Sequence, residues 1–157
     1  METIPFLTKE DVVELDNILE DYLHKSDAGF TMVIDRGGTV IAQYGEAGSE
    51  DVAIVAALAA GSFAATKELA RRIGENEFSA LYHQGHGRHI FMSAIDEHTI
   101  IITLFGEETT VGLVRFYTVN VVSPISALLE RFRSRETPSI PELSATGAMA
   151  PFAPGRG

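Results

Sequence analysis

Residues 49–73, SEDVAIVAALAAGSFAATKELARRI, are the most informative part of this sequence because they predict a long helix of unusual composition. Helix-start residues lie at 49–51, and Gly74 follows as a stop signal. Residues 52–66 carry no charge, so apolar or small side chains surround this part of the helix for about four turns. A chain of 157 residues has little room to bury a helix on every side. We therefore expect one face to pack on the chain's own sheet and another on a second protein. The alternative is a central helix buried within one monomer.

The segments around this helix predict a regular succession of helices and strands. Apolar residues recur at three- and four-residue steps over residues 8–26, where Thr8 is a suitable N-cap. Alternating or β-branched segments predict five strands, at 30–35, 39–44, 78–84, 90–95 and 99–105. Residues 109–135 follow helical steps again. The predicted order is therefore α-β-β-α-β-β-β-α.

Proline divides the carboxyl-terminal part of the chain. Because Pro124 is unfavourable inside a helix, we expect either two helices that meet there or one kinked helix. Residues 136–157 hold four of the six prolines, together with serine, alanine and glycine. This composition predicts a disordered tail, which leaves residues 1–135 as the single domain.

The composition argues against several classes of function. Twelve basic residues against 22 acidic ones give a net charge of −10, so a nucleic-acid partner is not expected. The chain has no cysteine, as is common in a reducing compartment. The amino-terminal residues show no export signal, and the uncharged run 52–66 is too short to span a bilayer. We therefore expect no direct membrane insertion.

Nothing in the sequence indicates an active site, and we expect no catalytic residue, cofactor or metal. His83, His86 and His89 fall within seven residues and invite a zinc proposal. A strand would place His83 and His89 on one face and His86 on the other, and no carboxylate lies within this cluster. Serines lie in no nucleophile elbow, and paired acids fall at predicted turns. A metal-binding protein built on these histidines remains an alternative.

Three stretches and the element order resemble one known family. The stretches are FTMVIDRGGTVIAQYG (30–45), LAAGSFAATKELARRIGENEF (58–78) and GLVRF (112–116). With the apolar second helix, they resemble the Roadblock/light-chain-7 family, and within it the bacterial MglB-type regulators of small Ras-like GTPases. The resemblance covers residues 8 to about 133, and IGENEF is its most specific part.

The resemblance implies an α+β fold of three layers, α/β/α, of the profilin- and longin-like type. A five-stranded antiparallel sheet would carry one helix on one face and two helices on the other. Members of the family form homodimers by pairing their third strands and second helices. On this sequence, the dimer interface would contain Ala53, Ala57, Phe78, Ala80 and Tyr82.

The resemblance also implies a function. The protein would bind a small Ras-like GTPase of the MglA type and promote GTP hydrolysis in cell polarity and motility, as a regulator and not as an enzyme. The expected GTPase contacts are Ala60, Ala64, Lys67, Glu68 and Arg71. We expect a cytoplasmic protein, with concentration at a cell pole as a further expectation.

Two alternatives stay open beside this interpretation. A structural adaptor or co-regulator of the same fold would bind its partner without an activating effect. Relatives of the MglB type act without inserting an arginine into the GTPase. The second alternative is that this chain, unlike those relatives, does insert an arginine into the GTPase. The candidates are Arg36, Arg71, Arg72, Arg88 and Arg115.

Overall fold

The computed structural model describes residues 8–48 and 51–136, and it confirms the predicted order of elements. The elements are α1 (Lys9–Ser26), β1 (Phe30–Asp35), β2 (Val40–Gly45), α2 (Val52–Arg72), β3 (Ala80–Gln84), β4 (His89–Ala94), β5 (Thr99–Phe105) and α3 (Val111–Glu136). The predicted bounds of β1 and β5 are confirmed, and those of the other strands differ by one or two residues.

Local hydrogen bonds explain where the first two helices begin. The backbone N–H of Asp11 donates to the hydroxyl of Thr8 at 3.0 Å, and the Thr8 N–H donates to the Asp11 carboxylate at 3.2 Å. This reciprocal pair is a capping box, and it confirms Thr8 as the N-cap of α1. The carboxylate of Asp51 accepts from two N–H groups in the first turn of α2.

The five strands form one antiparallel sheet in the order β2-β1-β5-β4-β3. The central strand β5 is buried along its whole length, as its continuous β-branched sequence predicts. The strands β2 and β3 lie at the two edges of the sheet. Gly38 turns the β1–β2 hairpin with a φ of 99°, and a Cβ added there would come within 2.9 Å of the Ala57 Cα in α2. The hairpin turn therefore rests directly on the backbone of α2.

Helices cover both faces of the sheet, and the predicted three-layer α/β/α fold is confirmed. On one face, Phe63 and the alanines of α2 pack on residues such as Met32 and Ile102. On the other face, α1 and α3 pack on Val33 and Ile101. Successive side chains of a strand point to opposite faces of the sheet, so β1 and β5 each contribute residues to both cores.

A buried hydroxyl network joins the two helices of this second layer to the sheet. The Tyr22 hydroxyl of α1 lies 2.7 Å from the Thr103 hydroxyl of β5 and 2.8 Å from the Thr118 hydroxyl of α3. Thr118 in turn donates to the carbonyl of Val114 at 2.7 Å. Burial raises the pKa of Tyr22 above its ordinary value, because an apolar environment disfavours the phenolate. All three hydroxyls are satisfied, so the network costs little to bury and fixes the register of α1 against α3.

The structure decides between the two predictions made for residues 109–135. A single helix runs from Val111 to Glu136 with Pro124 inside it, so the prediction of two separate helices is wrong. Pro124 itself is exposed, while Val121 and Ile125 on either side are buried in the core. This packing holds the helix together across a position where proline removes a hydrogen bond.

Two helices are longer than the uncharged run 52–66. By length and composition only, α2 and α3 are each sufficient to cross a bilayer, although most of each apolar window is not buried in this chain. Both helices nevertheless contribute buried residues to the cores described above. The predicted tail, residues 136–157, lies outside the described residues except for Glu136, and so do the helix-start residues Ser49 and Glu50.

Candidate interaction surface

The outward side of α2 carries a line of exposed apolar and small residues. Ile54, Leu58 and Leu69 are 56%, 68% and 55% exposed. Gly61 and Ala65 lie between them at helical spacing, and a Cβ added at Gly61 would meet open space. We call these five residues the α2 outer stripe. The opposite side of the helix, including Ala56 and Phe63, is buried on the sheet.

Four of the five predicted GTPase contacts are exposed, and one is not. Ala64, Lys67, Glu68 and Arg71 are exposed on α2. Ala60 is only 5% exposed and packs in the core, so its prediction as a surface contact is wrong. Helical geometry explains the correction, because Ala60 lies four residues after the buried Ala56 and three before the buried Phe63.

Sequence reasoning missed the larger apolar members of this surface. Ile54, Leu58 and Leu69 belong to the α2 outer stripe but were not predicted as contacts. The available signal was their spacing of four and eleven residues, which places them on one side of a helix of 3.6 residues per turn.

The carboxyl-terminal end of α2 is charged and internally paired. Glu68 accepts hydrogen bonds from Arg71 at 2.8 Å and from Arg72 at 2.7 Å. These hydrogen bonds, of which the one from Arg72 contributes most, hold the pKa of Glu68 below its usual value. Arg71 and Arg72 follow Glu68 by three and four residues, the spacing at which side chains of a helix meet. This end of the helix therefore presents an ordered, exposed ion-pair cluster next to the apolar stripe.

The five residues predicted for a dimer interface all reach the surface. Ala53 and Ala57 are exposed on α2, while Phe78, Ala80 and Tyr82 are partly buried at or near the β3 edge. The Tyr82 ring stacks on Phe105 at 6.3 Å between centroids, which fixes its position on the side of the sheet covered by α3. The structure contains one chain, so this interface remains a prediction.

Two of the arginines considered for insertion into a GTPase make contacts within this chain. Arg36 donates from Nη2 to the carbonyl of Asp96 at 2.7 Å, and its guanidinium lies 5.4 Å from the Phe63 ring centre. The guanidinium of Arg115 lies 5.1 Å from the ring centre of Phe91. Contacts of this kind favour a structural role for Arg36 and Arg115.

The three histidines do not converge. In the β3–β4 hairpin, His83 pairs with Ile90, whereas His89 pairs with Gln84, so His83 and His89 lie on opposite faces of the sheet. The prediction that both would share one face is wrong, because the chain reverses direction between them. Within residues 8–48 and 51–136, no group of three or more metal-ligating side chains is placed to hold an ion.

His89 has a structural environment of its own. Its Nδ1 accepts the N–H of Gly85 at 3.1 Å, and its ring lies 5.1 Å from that of Phe105. The hydrogen bond closes the β3–β4 turn, and the ring contact anchors that turn on β5. His89 therefore has a structural explanation that needs no metal ion.

Sequence and structure comparisons agree with this architecture. The family model of the Roadblock/LC7 domain matches residues 14–105. The chain belongs to the Roadblock/LC7 domain family. No protein with a curated function matches the chain significantly in sequence. The matched residues include α2 with its outer stripe and all five strands.

Solved MglB structures are among the similar ones. One, described as MglB with a tetrameric arrangement, is 25% identical with a TM-score of 0.76, over 80% of this chain and 95% of that one. Myxococcus xanthus MglB is 25% identical with a TM-score of 0.74, over 80% and 94%. The gliding protein MglB of Thermus thermophilus is 28% identical with a TM-score of 0.69, over 78% and 90%. Within its family, this Roadblock protein is MglB-like.

Proposed function

We propose that this Roadblock protein is a homodimeric regulator that binds a small Ras-like GTPase of the MglA type and promotes its GTP hydrolysis. The α2 outer stripe is the observation that carries the proposal, since Leu58 and its neighbours stay exposed after the fold is complete. Large exposed apolar patches on small domains mark interaction sites. The similarity to MglB structures supports the choice of partner class.

The second copy and the GTPase would occupy different parts of one continuous surface. Ala53, Ala57 and the adjacent Leu58 lie in the first third of α2 and, with the β3 edge, would meet the second copy. Ala64, Glu68 and Arg71 lie toward the other end and would meet the GTPase. Small side chains along the helix allow close approach of another backbone. The ion-pair cluster at Glu68 would orient the GTPase on this surface.

The activation we propose acts through the GTPase's own catalytic groups. An inserted arginine contributes about 10³–10⁵ in rate to the GTPases that use one. Here, Arg36 is bonded to Asp96, and Arg71 and Arg72 are paired with Glu68. Releasing any of them would cost the contacts it already makes, so ordering of the partner's groups is the simpler mechanism.

Single-turnover GTP hydrolysis by an MglA-type GTPase from the same genome tests the proposal. The full-length protein should accelerate hydrolysis, and Ala64→Arg should abolish the effect because a long cation would block the contact. Val13→Ala, on the other side of the sheet, is the matched control and should act like the wild type. Binding without acceleration would support the adaptor or co-regulator alternative. Absence of binding would contradict the proposal.

We further propose a cytoplasmic location with concentration at a cell pole, in keeping with a role in polarity and motility. A fluorescent fusion expressed from the native locus would test this placement. Uniform distribution in cells that contain the GTPase would contradict the polar part.

A further inference from the structure

The β3–β4 turn closes the edge of the sheet that would take part in the proposed dimer. The strand β3 lies at the end of the sheet beside β4, and residues 85–88 join the two strands. Gln84 and His89 form the last pair of this ladder, directly before and after the turn. Because β3 is an edge strand, the order of this end of β3 depends on β4 and on the turn.

One side chain holds the turn through a hydrogen bond that depends on its protonation state. The Nδ1 atom of His89 accepts the N–H of Gly85 at 3.1 Å. The rings of Phe105 and Tyr82 hold the imidazole in position, with centroid distances of 5.1 Å and 6.1 Å. A neutral imidazole has one nitrogen without a proton, whereas the cation carries a proton on both nitrogens. Only the neutral ring can therefore accept this hydrogen bond.

The backbone of the turn has little room to compensate for the loss of this bond. A Cβ added at Gly85 would come within 2.4 Å of the Arg88 carbonyl oxygen, so the chain is closely folded on itself here. A proton on Nδ1 would face the Gly85 N–H, and two donors that face each other repel. Since the bond is exposed, water can solvate the released N–H, and we expect a loosened turn in a folded chain. A hydrogen bond changes an equilibrium of this kind by about two- to tenfold.

The charged groups around His89 are of types that titrate in another pH range. Histidine ordinarily changes its charge between pH 5 and 8, whereas glutamate, tyrosine and arginine titrate outside that range. The titratable and charged residues on the elements packed against His89 are Tyr82 of β3, Arg88 of the turn, Glu107 and Glu108 after β5 and Arg115 of α3. His83 and His86 lie in the same hairpin and require variants of their own.

We propose that His89 makes the β3 edge sensitive to pH. Above the range in which histidine titrates, the neutral ring closes the turn and orders the end of β3. As the pH falls through that range, protonation of the ring releases the Gly85 N–H and loosens His83 and Gln84, the strand residues next to the turn. The edge that would meet the second copy is then less ordered, so pairing loses more conformational entropy and the dimer is weaker. The effect on the dimer rests on the proposed function, whereas the release of Gly85 does not.

NMR spectra of the full-length protein between pH 7.5 and 5.5 test the release of Gly85 without reference to a dimer. The ring C–H signals of His89 and the amide signal of Gly85 should change with the same midpoint, because one proton controls both. Amides of Ile100 and Ile101 in the buried strand β5 serve as the control and should not move.

Sedimentation equilibrium of the same protein at pH 7.5 and 5.5 tests the effect on the dimer. Each copy loses one hydrogen bond, so the dissociation constant should rise about four- to hundredfold at the lower pH. The net charge of −10 becomes less negative as the pH falls, which by itself favours association. Weaker pairing at pH 5.5 would therefore oppose the effect of overall charge. Circular dichroism at both pH values should show the same helix content.

Substitutions of His89 hold the turn in each of its two states. His89→Asn keeps an acceptor at about the position of Nδ1 but cannot titrate, so its dimer should be equally tight at both pH values. His89→Phe keeps a ring against Phe105 without an acceptor, so its dimer should be weak at both. His83→Asn and His86→Asn are matched controls in the same hairpin, and both should keep the pH dependence of the wild type.

Three results would overturn this proposal. They are a Gly85 amide that does not follow the titration of the His89 ring, a wild-type dissociation constant that is the same at both pH values, and a pH dependence that persists in His89→Asn or disappears in a control variant. A tight dimer without pH dependence would leave the proposed function intact. A chain that is monomeric at pH 7.5 would instead contradict the proposed homodimer, and the Gly85 amide would still decide the role of His89.

Discussion

Replacement of Leu58 by alanine tests the proposed dimer most directly. Leu58 is 68% exposed in the single chain, so its truncation removes little buried surface from the fold. Full burial of a leucine side chain contributes about 1.5–3 kcal/mol. The exposed share of Leu58 thus corresponds to about 1–2 kcal/mol if a partner covers it.

A symmetric homodimer contains the substitution twice. The expected loss is therefore about 2–4 kcal/mol, or a dissociation constant raised about 30- to 1000-fold. Sedimentation equilibrium over a concentration series measures this constant. Urea unfolding at concentrations where the chain is monomeric should show the same free energy of unfolding as the wild type.

Val13→Ala is the matched control for this measurement. Val13 is 57% exposed on α1, on the other face of the sheet, and its truncation should leave the dissociation constant unchanged. An unchanged constant for Leu58→Ala, or an equal loss for Val13→Ala, would refute the placement of the dimer contact on the α2 outer stripe. A wild-type protein that is monomeric at every concentration would refute the dimer itself.

Three further predictions test the fold and the surface. Tyr22→Phe should lower the free energy of unfolding by about 1–3 kcal/mol in urea titrations, because it removes two buried hydrogen bonds, those to the hydroxyls of Thr103 and Thr118. Ala60→Arg should unfold the chain or lower its melting temperature strongly, whereas Ala64→Arg should keep the wild-type circular dichroism spectrum and thermal melt. Asp96→Asn should destabilise the protein by about 1–3 kcal/mol near neutral pH, with the difference shrinking in urea titrations below pH 3.8, the ordinary value for this carboxyl.

The sign of the pH effect follows from the surroundings of Asp96. Burial by itself would raise the pKa of this carboxyl, but hydrogen bonds from Thr99 and His98 and the charge of Arg133 outweigh burial and lower it. A carboxyl with a lowered pKa in the folded state contributes stability above its unfolded pKa and loses it as pH falls through the folded value. A pH-independent difference between Asp96→Asn and the wild type would contradict this assignment.

The other two predictions also have clear contrary outcomes. A Tyr22→Phe variant as stable as the wild type would mean that the remaining hydroxyls satisfy one another, as the 3.2 Å distance between Thr31 and Thr103 would allow. A stably folded Ala60→Arg variant would mean that α2 can shift away from the sheet. Unfolding of Ala64→Arg would mean that its exposed position is not preserved in solution.

Most of the helices and strands could be predicted because the local sequence patterns, such as β-branched runs and helix caps, agree with the burial of the same residues in the structure. The β-branched run 99–105 is a strand of the same bounds, and Thr8 caps α1. The sheet order could not be read from the sequence patterns alone, because strand pairing depends on contacts between distant segments. The family resemblance supplied the antiparallel sheet and its two helical layers.

The details that failed depend on three-dimensional position. In a run of alanines, composition does not reveal which alanine faces the sheet, so Ala60 was placed on the wrong side. Pro124 lowers the helical propensity of its segment, yet burial of Ile125 and Leu128 outweighs that local cost. His83 and His89 were treated as one strand, although a reversal of the chain separates them.

The alanines of α2 bear both on its packing against the sheet and on the binding proposed for its outer stripe. On the sheet side, Ala56, Ala59 and Ala60 let the helix lie close to the strands, where the Gly38 turn also rests on its backbone. Close packing of this kind leaves the helix little freedom to move. The outer stripe is consequently held in place before any partner arrives, so association loses less conformational entropy. The helix α2 thus fills the core with Phe63 and its alanines and leaves Ile54, Leu58 and Leu69 exposed for the proposed recognition.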